Sequence, residues 1–360
     1  MIVHFTILAL LLILNLIPEN KINRKKYILP LSFFIVFIYW AIRYDYGLDY
    51  WNYYDTFYSD INENRAGFGE IWFYRIMRIF KHYYQWIIAS SALIVITLYH
   101  LVIKYIPQRW YWLFFLLLFI VPDFHFNLIS AQRSTMAACI LLWAFDLFYI
   151  QRKRWLFYIG MVFIAAMFHT SALVFIIVPF FDLIIPKLSG RTIFIILVLS
   201  NVASLFSSTY IFEHVVRFFD IFNDYNYYFD VVGNRSLTSM LSGFLVLIPC
   251  WFICDNYKRG NKVYDAAFTL ALLYLIPDFL HVNFQGRYTV YLYIFFVIVL
   301  CTVLEQSNRQ IRWFILIPYL FDISYGLYWY YWMLLSKINF EYSSGNMYYY
   351  HTIFEAPFLP

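Results

Sequence analysis

"WLFYIGMVFIAAMFHTSALVFIIVPFFDLII", Trp155 to Ile185, is an apolar run interrupted by His169, Thr170 and Ser171. It is either one long tilted helix or two short helices broken at "FHTS", and the choice sets the face that every later loop occupies. The cations decide between them. With two helices, the loops at 19–26, 104–109, 151–154, 186–191, 255–262 and 305–312 all fall on one face and carry sixteen of the 26 Lys and Arg. With one helix, each later basic loop flips and the bias disappears. Lys and Arg in short loops mark the cytoplasmic side. The run is therefore read as two helices, the six basic loops as cytoplasmic, and both termini as outside.

Working outward from that run, apolar stretches recur along the whole chain. Of 360 residues, 63% are hydrophobic and 13% charged, and the mean hydropathy is +0.65. A soluble domain is nearer half apolar and a quarter charged. The expected fold is all-α: one integral membrane domain over 1–360 with about twelve spans. They lie near 1–17, 27–42, 86–103, 110–122, 130–150, 155–168, 171–185, 192–206, 240–254, 263–280, 287–304 and 313–333. No series of short alternating strands suggests a barrel. The first run lacks a basic leader and a small-residue cleavage site, so it reads as a retained span. Cys139, Cys250, Cys254 and Cys301 all fall in or beside apolar runs, where Cys is a small hydrophobe. The net charge of +5 lies in the topology loops and does not suggest nucleic acid.

The opposite face differs in kind. It holds two long segments, about 43–85 and 207–239, a tail from 337, and most of the acids. Long loops in compact proteins are usually functional, so the working end is expected outside. Arg43, Arg133 and Arg287 each stand at the outer end of a span. Ionisable groups at that depth are costly and tend to face a cavity. Together they would suit a multiply charged anion, which Arg grips with a planar fork. Taken singly, each could instead snorkel to headgroups. His169, at the break, has two open readings: a neutral base for a hydroxyl proton, or a cap on the broken backbone. Asp49 is a candidate base or sugar contact. Asp45 is four residues before it and on its face if the stretch is helical. Glu70 is a further candidate acid, or simply favours the start of the next helix. Tyr50 and Tyr54, in a segment dense with rings, and Tyr288 are candidate sugar contacts. Two carboxylates are too few ligands to argue for a cation, and neither a metal nor a cofactor is expected.

In chain order, "IRYDYGLDYWNYYDTF" (42–57), "GFGEIWF" (67–73), "NLISAQRSTMAACILLWAF" (127–145), "AAMFHTSALVFI" (165–176) and "GRYTVYLYIF" (286–295) resemble the EpsG family of polysaccharide polymerases, related in role to Wzy polymerases. The resemblance implies transfer of a growing glycan from undecaprenyl diphosphate to a new lipid-linked repeat unit at the outer leaflet of the bacterial cytoplasmic membrane. It implies a glycosyltransferase with lipid-linked donor and acceptor, with surrounding membrane lipid and a chain-length regulator as candidate partners. In that scheme Arg43, Arg133 and Arg287 hold the diphosphate, and His169, Asp49 or Glu70 accepts the proton. Three other readings stand beside it. A ligase would share the donor chemistry and differ in acceptor. A flippase or transporter would show repeated halves and mid-membrane charges. A membrane O-acyltransferase would place His on the inner face, and the inner loops contain none.

Overall fold

In a computed structural model, which describes residues 2–18, 22–44, 46, 49–59, 70–151, 154–207, 237–280, 285–336 and 351–352, the run Trp155–Ile185 is broken at the expected place. Helix α9 (Trp155–Ala166) ends in a turn whose His169 N–H reaches Ala165 O at 3.1 Å. A 3-10 helix, Thr170–Ile177, then doubles back. Tyr158 in the first turn of α9 donates to Phe175 O at 2.8 Å and ties the two arms of this hairpin.

The chain packs as two compact units, Met1–Ile177 with Leu327–Pro360, and Val178–Gly326. The first unit contains α1 (Ile2–Leu16), α2 (Leu29–Ala41), α3 (Tyr50–Tyr58), α4 (Glu70–Met77), α5 (Tyr83–Tyr105), α6 (Tyr111–Ile120), α7 (Pro122–Ser130), α8 (Gln132–Ala144) and the α9 hairpin. Strand β1 (Arg43–Tyr44) pairs antiparallel with β2 (His351–Thr352), Arg43 opposite Thr352. The second unit contains α10 (Val178–Ile184), α11 (Gly190–Ser207), α12 (Leu237–Asp255), α13 (Lys262–Phe279), α14 (Gln285–Gln306) and most of α15 (Arg309–Ser336). There α11 packs on α12 and α13 on α14. Gly190 is required at the first of these contacts, because a Cβ would collide with the Cys254 carbonyl oxygen.

A helix covers each stretch expected to span, but fewer can cross a bilayer alone. Tyr83–Tyr105, Gln132–Ile150, Thr170–Lys187 and Tyr288–Gln306 are long and apolar enough. Gln108–Ile120 with Pro122–Ser130 makes a fifth if that pair, bent by 70°, is one broken span. By this measure the described residues give four or five crossing helices, not twelve. For Val3–Leu16 and Trp155–Ala166 the reason is length: they are apolar but shorter than a bilayer requires. Helix α7 is also new. Pro122 opens it at N1, where its missing N–H costs nothing.

Polar contacts pin the apolar helices of the first unit. His4 on α1 bonds Tyr39 OH (3.2 Å) on α2 and Phe119 O (3.1 Å) on α6. Asn15 donates to Ser32 Oγ at 2.8 Å. The main assembly is a parallel pair, α5 and α8, joined by three rungs, each between residues 46 apart in sequence. Trp86 Nε1 donates to Gln132 Oε1 (2.5 Å) at one end and Trp143 Nε1 to Thr97 Oγ1 (3.1 Å) in the middle. His100 Nε2 meets Asp146 Oδ2 (2.7 Å) at the other end. From Trp86 to Lys104 this ladder rises about 27 Å, close to the thickness of a hydrocarbon core.

The Asp146 rung is the most saturated. The carboxylate is fully buried in a π-helical turn, Phe145–Ile150. Besides His100 it accepts from Lys104 Nζ (2.8 Å to each oxygen), the Tyr105 hydroxyl and Gln151 Nε2 (2.9 Å). With both oxygens occupied by protein donors, Asp146 acts as a lock between helices. Asp146→Ala leaves Lys104 without its acceptor and is expected to cost about 3 kcal/mol, read as a lower Tm in detergent. Asp146→Leu with Lys104→Met removes both charges and is expected to recover most of that loss. An unchanged Tm in Asp146→Ala would contradict the lock.

Candidate active site

Helix α3 grows from "YWNYYDTFY", whose rings repeat at helical spacing. Tyr50, Tyr53 and Phe57 form the buried face, while Trp51, Asn52, Asp55 and Tyr58 face outward. Tyr50 and Phe57 sit edge-on to Tyr83, with ring centroids 5.4 and 5.7 Å away. Tyr53 packs on Phe73 of α4, which in turn meets Trp86. Helix α3 is thus bedded on the first turns of α5.

The other wall is the start of α8. Ala131, with ψ 63°, ends α7, and Gln132 begins the next helix. Gln132 is buried, and both ends of its amide are used. Its oxygen accepts from Trp86, and Nε2 donates to Tyr83 OH at 2.9 Å. Tyr83 OH donates in turn to Tyr50 O at 3.4 Å. One amide therefore links α8 to α5 and, through Tyr83, to α3.

The next residue is Arg133, half-buried in the first turn of α8. Its backbone N–H donates to Tyr53 OH at 3.4 Å. Burial pushes the Tyr53 phenol up to about 12, while the Arg133 guanidinium pulls against that and Asp49 adds to it. Asp49, Tyr53 and Arg133 are thus one electrostatic group. Asp49 occupies the N-cap position of α3 and is half-buried, its Oδ1 3.5 Å from Asn52 Nδ2.

The other expected site residues fall as follows. Arg43 is buried, 1% exposed, not at an opening. It donates to Trp40 O (2.9 Å), Ser91 Oγ (3.3 Å) and Ile129 O (3.1 Å), so it ties α2 to α5 and to the last turn of α7. Tyr50, expected to face a sugar, is buried because it shares the inner helical face with Tyr53 and Phe57. Trp51 and Tyr58 are the exposed rings, with half-buried Tyr54 between them at 5.2 and 4.9 Å. Helix α3 starts at Tyr50, with Asp49 at its N-cap position. Asp45 itself lies outside the described residues. His169 is buried at the corner of the α9 hairpin, which packs on α8. Glu70 opens α4 and Arg287 lies in the first turn of α14. The side chains of both lie outside the described residues. Tyr288 is half-buried in the second unit. Among the described residues no group of three His, Cys, Asp or Glu could hold a metal ion.

Tyr53, Gln132, Tyr83 and Trp86 are the participants that the sequence reading missed. The spacing of 50, 53 and 57 could have separated Tyr53 from Tyr54. The pairing of Gln132 with rings 46 and 49 residues away has no local signature.

With its phenol raised above the ordinary value near 10, Tyr53 holds its proton more tightly in the folded protein than in the unfolded chain. Its contribution is complete below pH 10 and is lost as pH rises from 10 through 12. Between those values wild type is expected to lose stability relative to Tyr53→Phe. Parallel alkaline melting curves with a constant offset would contradict this.

A model of the EpsG family matches residues 26–350. No curated protein and no solved structure matches the chain.

Proposed function

The chain belongs to the EpsG family, and on that premise we propose that it extends a polysaccharide by transferring a growing glycan from a polyprenyl diphosphate to a lipid-linked repeat unit. The family suggests a polysaccharide polymerase role, and with the apolar helices it points to a membrane protein. The observation that carries the finer reading is the contact between Tyr53 and Arg133. It brings the N-terminus of a helix and the charges of Arg133 and Asp49 to bear on one phenol, in a helix whose outer face carries accessible rings.

In the proposed reaction an acceptor hydroxyl attacks the anomeric carbon as the bond from that carbon to the diphosphate oxygen breaks. The bonding pair leaves with the polyprenyl diphosphate, whose growing charge needs donors already in place. Arg133 supplies a charged fork, and the first turn of α8 adds its dipole. The hydroxyl proton goes to a base, for which Asp49 is the first candidate, since it and Arg133 both act on Tyr53, and His169 the second. Trp51, Tyr54 and Tyr58 offer faces for sugar stacking. Arg43, with its donors directed at protein oxygens, is better suited to holding the frame than to gripping phosphate. In this reading the site faces outward from the cytoplasmic membrane, as the cation bias of the loops suggests.

The test is genetic and biochemical. In a deletion strain, single lipid-linked repeats are expected to accumulate outside; repeats retained inside would overturn the proposal in favour of a flippase. Arg133→Ala is expected to lower chain growth at least about 100-fold while the protein still inserts. Wild-type chain length from Arg133→Ala would remove the diphosphate contact.

A further inference from the structure

Tyr53 is 5% exposed, yet it carries a hydroxyl into a seam otherwise lined by rings. A buried hydroxyl without a task would be costly, and phenylalanine would fill the same space. Its oxygen accepts from the Arg133 N–H, and it lies close enough to the Arg133 guanidinium and to Asp49 to respond to both. Asp49 and Tyr53 are one turn apart, joined by the bond from Tyr53 N to Asp49 O at 3.1 Å. Helix α3 cannot drift over this point, because Tyr83 holds its first carbonyl and Gln132 holds Tyr83. The phenol is therefore a fixed post set against the first turn of α8.

We propose that Tyr53 is a positioning residue for the transfer reaction: its hydroxyl sets the aim of Arg133 and keeps it in register with Asp49. This rests on the reading of Arg133 as the diphosphate contact. An arginine has many rotamers, and the side-chain hydrogen bond between Arg133 and Tyr53 holds it in one conformation before the substrate arrives, which removes that ordering from the reaction step. The expected signature is a loss in kcat with little change in KM, since Tyr53 does not touch the acceptor.

The experiment measures elongation of a lipid-linked repeat unit in membranes, with rates taken per inserted protein. Tyr53→Phe is expected to lower kcat about tenfold with KM changed less than about twofold. Arg133→Lys keeps the charge but loses the fork, so adding Tyr53→Phe to it is expected to cost less than about twofold more. Groups that act as one unit give such non-additive losses. A merely structural Tyr53 would multiply the two losses and lower the amount of inserted protein in step. That outcome, or a wild-type kcat in Tyr53→Phe, overturns the positioning role. If Arg133→Ala is inactive while Tyr53→Phe is fully active, only the positioning role fails. If Arg133→Ala elongates normally, the diphosphate contact and the positioning role fail together.

Discussion

The Gln132 side chain is the interaction on which the rest of the site depends. It is buried at the start of α8, with its oxygen on Trp86 and its nitrogen on Tyr83. An amide that loses either partner in such surroundings carries a desolvation cost of about 1–3 kcal/mol for each orphaned group. Satisfying both ends at once admits only one relation of α5 to α8. Tyr83 then passes the constraint to the first carbonyl of α3. Arg133, the next residue along, inherits its position from this amide.

The same helix pair is closed at its other end by a different chemistry. Asp146 takes His100, Lys104, Tyr105 and Gln151, and Thr97 with Trp143 holds the middle. Three rungs at one sequence offset make α5 and α8 a rigid beam. Packing between apolar helices in a bilayer has no hydrophobic drive of its own, so close fit and interhelical hydrogen bonds carry it. A beam fixed at both ends can present an arginine at one of them without that arginine having to organise its own surroundings. Arg43 serves the same end, bonding Ser91 on α5 and the Ile129 carbonyl just before α8.

Much of this was legible in the residues. The break at "FHTS" followed from the distribution of Lys and Arg, and the helix tied back by Tyr158 has the hairpin form that reading required. Asp49 and Arg133 were legible as charges at the ends of apolar runs. Their link was not, because it runs through Tyr53, one of eight rings from Tyr44 to Tyr58, and in α3 the inner and outer rings differ only by helical phase. Arg43 was read as a ligand because sequence gives its depth along a span and not the direction of its donors. Gln132 escaped for the same reason as Asp146: the partners of each on α5 are more than 40 residues away, in a helix whose register no local pattern encodes. The number of spans was less legible, because an apolar run marks a buried helix as readily as a crossing one; among the described residues four or five helices are long and apolar enough to cross.

The central claim is that the Gln132 amide fixes α3 on the ends of α5 and α8. Hydrogen exchange of the α3 amides tests it most directly, comparing wild type with Gln132→Leu, which keeps the bulk and removes both polar bonds. Exchange across 50–58 is expected to quicken in the variant while the middle of α5 stays protected, since fewer fixed contacts leave a local element easier to open. Unchanged protection of α3 in Gln132→Leu would contradict the account.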